Sequence, residues 1–265
     1  MDEGDNSEPK IQLPEDVRKL EPVLRARRAI AITAVFFLAQ IIIGFVMGVG
    51  RAVYVIASKG TTDASILKAA VTGVTLPAVI AGEAVSALIA FWMTRRILPG
   101  PINCGSLARI GWRKAAPFET AMAALAGCLL SLIFVFAFMR IFPPTEGQIH
   151  GPLVMAVLRG GWERNLWAVL ALVLAPPIEE FMFRGVLLEG LSNSVGVKAA
   201  AGVVTVAFVT VHASETRTYW PAWVAILLLA SVALFFRLKT RSLAPAISVH
   251  FAYNLSLVVI TYFGG

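Results

Sequence analysis

The sequence predicts an all-α fold, a polytopic membrane helix bundle of about seven to eight transmembrane helices, and two observations predict it. The first is composition. Apolar residues make up 58% of the chain, charged residues only 15%, and mean hydropathy is +0.77, far from the mix that soluble domains use. The second is length: several apolar runs reach or approach the roughly 20 residues that a spanning helix needs. Helices satisfy their own backbone hydrogen bonds, which is what a bilayer demands of any segment that crosses it.

Residues 1–28 stand apart, rich in Asp, Glu, Lys, Arg and Pro, and read as a soluble cytoplasmic tail. The first residues are acidic and the first apolar run starts near Ala29, too late and too long for a cleaved signal peptide. The remainder, 29–265, reads as one transmembrane domain. Spans are expected at 29–50, 66–92, 117–141, 165–190, 197–213, 219–236 and 243–263. A shorter run, Gly151 to Leu158, suits a re-entrant or interfacial helix. The pairs Pro143/Pro144 and Pro176/Pro177 are the clearest breaks.

Basic residues set the expected orientation. Arg18, Lys19, Arg25, Arg27 and Arg28 precede the first span, Arg95, Arg96, Arg109, Arg113 and Lys114 follow the second, and Arg237, Lys239 and Arg241 precede the last. Seven alternating crossings place all three clusters, with the N-terminus, on the cytoplasmic side. The net charge of +7 therefore sits at span ends rather than along one face interleaved with aromatics. Membrane lipid is the expected partner and nucleic acid is not. Cys104 and Cys128 have no CxxC or ligand-like spacing. Trp92, Trp112, Trp162, Trp167, Trp220 and Trp223 suit an interfacial belt, and Gly127, Gly185, Gly190 and Gly202 suit close helix packing.

Ionisable groups inside spans are costly and need pairing or function to explain them. Glu83, Glu179, Glu180, Arg184, His212 and His250 are such groups. Glu180 and Arg184 are i,i+4 with the glutamate first, the favourable order for a helical ion pair. Glu179 lies about 100° away around the helix, so it escapes that partner and is available as a general base. Phe208 and His212 share one face of the next span, and His250 and Asn254 share one face of the last. The latter pair offers two hydrogen-bond donors within a turn, suited to an oxyanion. Depth is a tension: His212 falls near the outer end of a short helix and His250 nearer the inner third of its own. Tilt, a shifted boundary or the interrupted fourth span has to reconcile them. Glu83 has no motif around it and is expected to pair with a basic group across the bundle or line a hydrated cavity.

Glu179-Glu180-x-x-x-Arg184 followed by Gly185, then Phe208-x-x-x-His212, then His250-x-x-x-Asn254, in that order on apolar segments, resembles the CAAX protease and bacteriocin-processing family, also called the Abi or type II CAAX endopeptidase family. The resemblance covers roughly 165–257. It implies a glutamate-dependent intramembrane endopeptidase with no cofactor, acting on a membrane-associated protein or hydrophobic peptide. Glu179, helped by His212, would activate water, and His250 and Asn254 would stabilise the oxyanion. The implied catalytic set is Glu179, Glu180, His212, His250 and Asn254, with Arg184 and Phe208 shaping the site. Zinc held by Glu179, His212 and His250 is the lesser alternative, since the helical HExxH arrangement is absent. Two further readings stay open: a non-catalytic scaffold, immunity or regulatory protein of the same family, and a proton-coupled transporter using the same buried groups.

Overall fold

The computed structural model describes residues 23–98, 106–145, 148, 161–216 and 218–263. The tail up to residue 22, Cys104, His150 and the Gly151 to Leu158 run lie outside the described residues. Eight principal helices follow in chain order: α1 (Ala26–Lys59), α2 (Ala64–Thr72), α3 (Thr75–Ile97), α4 (Pro117–Ile141), α5 (Gly161–Val195), α6 (Val197–Val211), α7 (Trp220–Thr240) and α8 (Leu243–Phe263). Among the described residues six of them, all but α2 and α6, are long and apolar enough to cross a membrane, and α6 is a shorter apolar helix. The chain is an integral, multi-pass membrane protein with the helical bundle that its composition implies.

Local chemistry moves several boundaries. Helix α1 runs to Lys59, nine residues beyond the expected end, until Gly60 adopts φ 62° and its N–H closes on the Ile56 carbonyl. The expected 66–92 span is two helices. Pro77 has no N–H to give the Gly73 carbonyl four residues earlier, so α2 stops and α3 restarts with that proline in its first turn. Asp63 caps α2 by accepting from the backbone N–H groups of Ser65 and Ile66. These donors and, above all, the Ser65 hydroxyl hold the Asp63 carboxyl below the usual carboxylate range.

Helix α5 is the axis of the bundle. All eight residues from Phe181 to Leu188 are buried, as a helix apolar on every side requires. It contains two π-helical stretches, Leu170–Leu174 and Phe181–Leu187, on either side of Pro176 and Pro177. In the first, the Ala171 carbonyl would take its bond from residue 176, a proline with no N–H to give. One residue, Gly196 at φ 83°, turns the chain from α5 into α6.

Two contacts bring loops to the level of the axis. The Arg237 guanidinium donates to the backbone carbonyls of Arg184 and Arg109, each at 3.0 Å. The Leu243 N–H donates to Gly111 O at 2.8 Å. A Cβ on Gly185 would lie 3.2 Å from Ile110 O and 3.5 Å from Leu243 Cδ1, so α8 begins beside Gly185 and not at the level of the end of α5. That start removes the expected mismatch in depth between His250 and the other site residues.

Glycines set the closest approaches, as expected at Gly127, Gly185 and Gly190 but not at Gly202, where an added Cβ would meet nothing within 4 Å. At Gly190 it would meet Ala29 Cβ at 2.2 Å, which seats the start of α1 on the end of α5. Trp112 departs from the interfacial belt and packs inward, edge-on to Phe181 and tilted against Phe91. The α4–α8 pair is held tightest at Gly127, where a Cβ would overlap the Val249 carbonyl oxygen. Backbone cannot give way there as a flexible side chain can. Gly127→Ala should therefore lower stability by about 1–3 kcal/mol, the usual range for overpacking, measured as a fall in Tm of the purified protein. Gly202→Ala should leave Tm nearly unchanged.

Candidate active site

The adjacent carboxylates of α5 diverge, as successive helical positions must, and each meets one histidine. Glu180 Oε1 receives Arg184 Nη1 at 3.1 Å and lies 3.2 Å from His250 Nδ1 of α8. Glu179 Oε2 lies 3.6 Å from His212 Nε2, where His212 closes the last turn of α6. Exposure separates the two pairs. The Glu180 and Arg184 side chains are each 1% exposed, whereas those of Glu179 and His212 are 19% and 15% exposed. The first pair is sealed and the second is partly exposed, although Glu179 Oε2 itself is buried.

Arg184 is held on three sides. Besides Glu180, its Nη2 donates to Ala230 O at 3.2 Å, and its Cζ lies 3.9 Å from the centre of the Phe208 ring. Phe208 is fully buried and packs at 4.6 Å against His212 and 5.9 Å, edge-on, against His250. One ring thus fixes the guanidinium and both imidazoles, which is more than the packing role its chemistry alone suggests.

Hydrogen bonds constrain each imidazole further. His212 Nδ1 lies 2.8 Å from the Phe208 carbonyl. A carbonyl oxygen only accepts, so Nδ1 carries the hydrogen, and in the neutral ring Nε2 is left as a lone pair facing Glu179. Among the described residues Glu179 Oε2 has no hydrogen-bond partner. Two acceptors therefore face one another, and a water giving one hydrogen to each would satisfy both. Asn254 Nδ2 donates to Ala171 O at 2.8 Å, filling the place that Pro176 leaves empty, and keeps a second N–H. The oxyanion pair expected on α8 therefore has one donor turned to Glu180 and one to α5.

Three residues had been candidates for zinc. Glu179 and His212 form one pair and His250 belongs to the other, and among the described residues no three His, Cys, Asp or Glu side chains converge as a metal site. The donor set does not fit a three-ligand zinc centre.

Glu83 lines a cavity, as expected, but its partner is a neutral amide and not a basic group. Its Oε2 receives the amide of Gln40 from α1, and the Ala175–Glu180 stretch of α5 packs on the same helix, α3. A carboxylate in mid-span was the available signal; its partner, 43 residues away in Gln40, was not readable from spacing.

A family model matches on these helices. The model for Type II CAAX prenyl endopeptidase Rce1-like proteins matches residues 161–256. Over this segment the chain is similar to the type II CAAX prenyl endopeptidase family. Every candidate residue from Glu179 to Asn254 lies within the family segment, and α1 to α4 lie outside it. No curated protein and no solved structure matches the chain.

The sealed pair makes its own prediction. Arg184→Ala leaves Glu180 buried without its cation, a change worth about 3–5 kcal/mol in other proteins. The variant should show a large fall in Tm or fail to accumulate, and Glu180→Gln should fall less because the remaining cation still meets an amide oxygen. Quantifying folded protein in membranes, then Tm after extraction, checks both.

Proposed function

We propose that this protein is a glutamate-dependent intramembrane endopeptidase that cleaves a peptide bond in a membrane-associated protein or hydrophobic peptide. One observation carries the reading: Glu179 Oε2, buried and without a hydrogen-bond partner among the described residues, and the lone-pair nitrogen of His212 face one another 3.6 Å apart in the less buried half of the site. The similarity of residues 161–256 to a protease family supports it.

The chemistry follows from the atoms. Water held between Glu179 and His212 attacks the carbonyl carbon as Glu179 takes its proton. The carbonyl oxygen becomes the oxyanion, to which the second N–H of Asn254 donates. With Nδ1–H directed at Glu180, His250 donates from Nε2 only as the imidazolium, a cation that the neighbouring Glu180 carboxylate accompanies. Collapse of the intermediate breaks the C–N bond, and the departing nitrogen takes the proton from Glu179. The products are a carboxylic acid and an amine, and no oxidant or metal enters. In other hydrolases each oxyanion donor contributes about 2.7–4 kcal/mol.

The family description names prenylated CAAX termini, which makes a prenylated C-terminal peptide the first substrate to offer. A non-catalytic scaffold is the second reading. It is favoured by one observation: His250 and Asn254 each already spend a donor or ring nitrogen inside the protein.

Peptide termini should be compared in membranes holding equal amounts of the intact protein, Glu179→Ala or neither. The proteolytic reading expects termini present only with the intact protein, and a loss of about 10²–10⁴-fold in cleavage rate for His212→Ala, the span typical of general acid–base groups. Identical termini in all three membranes, when a prenylated peptide is also left uncut, would favour the scaffold.

A further inference from the structure

A second polar centre lies outside the family segment. On α1, Gln40, Gly44 and Gly48 recur every fourth residue and so share one face. With Val71 of α2 and Val79 and Glu83 of α3 among their neighbours, they line a cavity of about 220 Å³. Ligand pockets commonly run to about 300–1,000 Å³, so this one suits part of a substrate. Its wall is mainly apolar, and an added Cβ at Gly44 would meet nothing within 4 Å.

At one end lies the Gln40–Glu83 pair. A carboxylate within a span is costly, and the proposed cleavage steps make no use of it. Just beside it, Gly82 lets the helices nearly touch, since a Cβ there would lie 3.5 Å from Gln40 Cα. Glu83 also lies on the helix where the cavity borders the active site, because the Ala175–Glu180 stretch of α5 packs on α3. An apolar chamber that ends on a hydrogen-bond acceptor beside the proposed base has the chemistry of a peptide subsite: it takes an aliphatic or aromatic side chain and a backbone N–H. A second copy of the chain or a lipid tail would find no use for that acceptor.

We propose that the cavity between α1, α2 and α3 is the specificity subsite for an apolar side chain next to the scissile bond, with Glu83, oriented by Gln40, accepting a backbone N–H of the same peptide. This rests on the proteolytic reading of Glu179 and His212.

The test uses full-length protein in proteoliposomes and a hydrophobic peptide series that differs only in the residue flanking the cleaved bond: Gly, Ala, Leu or Phe. Gly44→Leu fills the chamber from an open position. It should cut the ratio of kcat/KM for Leu or Phe peptides to that for the Ala peptide by about tenfold, with Gly44→Ala intermediate, whereas Glu83→Leu should raise KM for every peptide. A Gly44→Leu protein with the wild-type Tm and unaltered ratios overturns the proposal. A second readout is independent of turnover: a benzoylphenylalanine placed at Val79 in the Glu179→Ala protein should crosslink the Leu peptide, and its crosslink should weaken when Gly44→Leu is added. Failure of the wild type to cut any peptide counts against the proteolytic reading, and the crosslink then decides the subsite alone. No crosslink overturns it.

Discussion

The Glu180–Arg184 pair is the interaction on which the rest of the site depends. A carboxylate and a guanidinium taken out of water together are costly unless their remaining hydrogen-bonding capacity is met. Around this pair the bundle supplies the Ala230 carbonyl, the face of Phe208 and the Nδ1 side of His250. Those partners come from α6, α7 and α8, so one buried ion pair on α5 holds three other helices against it, while Glu180 Oε2 and Arg184 Nε have no hydrogen-bond partner among the described residues. Arg237 extends the constraint by bonding to the Arg184 carbonyl itself and tying the 106–113 segment to the same level. The position of His250 is a consequence of these contacts.

The hydrogen bond of the cation goes to one carboxylate and not to its neighbour. Glu179 turns away on the next helical position and, among the described residues, lies against an imidazole whose other nitrogen is committed to Phe208 O. The proline pair just before it opens a gap in the α5 backbone hydrogen bonding, and Asn254 fills that gap at Ala171. The irregular backbone is therefore tolerated because another helix repairs it. In the proposed reaction the same asparagine has two tasks, one N–H holding α5 and the other reaching the oxyanion.

Much of this was legible in the sequence. The i,i+4 spacing of Glu180 and Arg184, the divergence of Glu179 and the shared faces of Phe208 with His212 and His250 with Asn254 are local helical facts, and the structure keeps the ion pair and each carboxylate's direction. What spacing could not give was contact between helices. That His212 would take Glu179 and His250 would take Glu180 depends on the depth at which α8 starts, and that depth follows from Gly111, Gly185 and Arg237, which no periodicity singles out. The α2–α3 break follows from Pro77 and Gly73 inside a run apolar enough to read as one span. Trp112 looked interfacial because it lies near a charged loop, yet the loop itself folds inward. Glu83 was visible as an anomaly, but its relation to Gln40 is tertiary.

The central claim is that adjacent glutamates divide the work, Glu180 holding the bundle and Glu179 moving the proton. A side-by-side comparison of the isosteric variants Glu179→Gln and Glu180→Gln, with Tm and turnover measured on the same purified samples, tests it most directly. The account predicts that Glu179→Gln keeps its Tm and loses turnover, while Glu180→Gln loses Tm and keeps measurable turnover in the fraction that remains folded. Full turnover in Glu179→Gln, or an unchanged Tm with abolished turnover in Glu180→Gln, would contradict it.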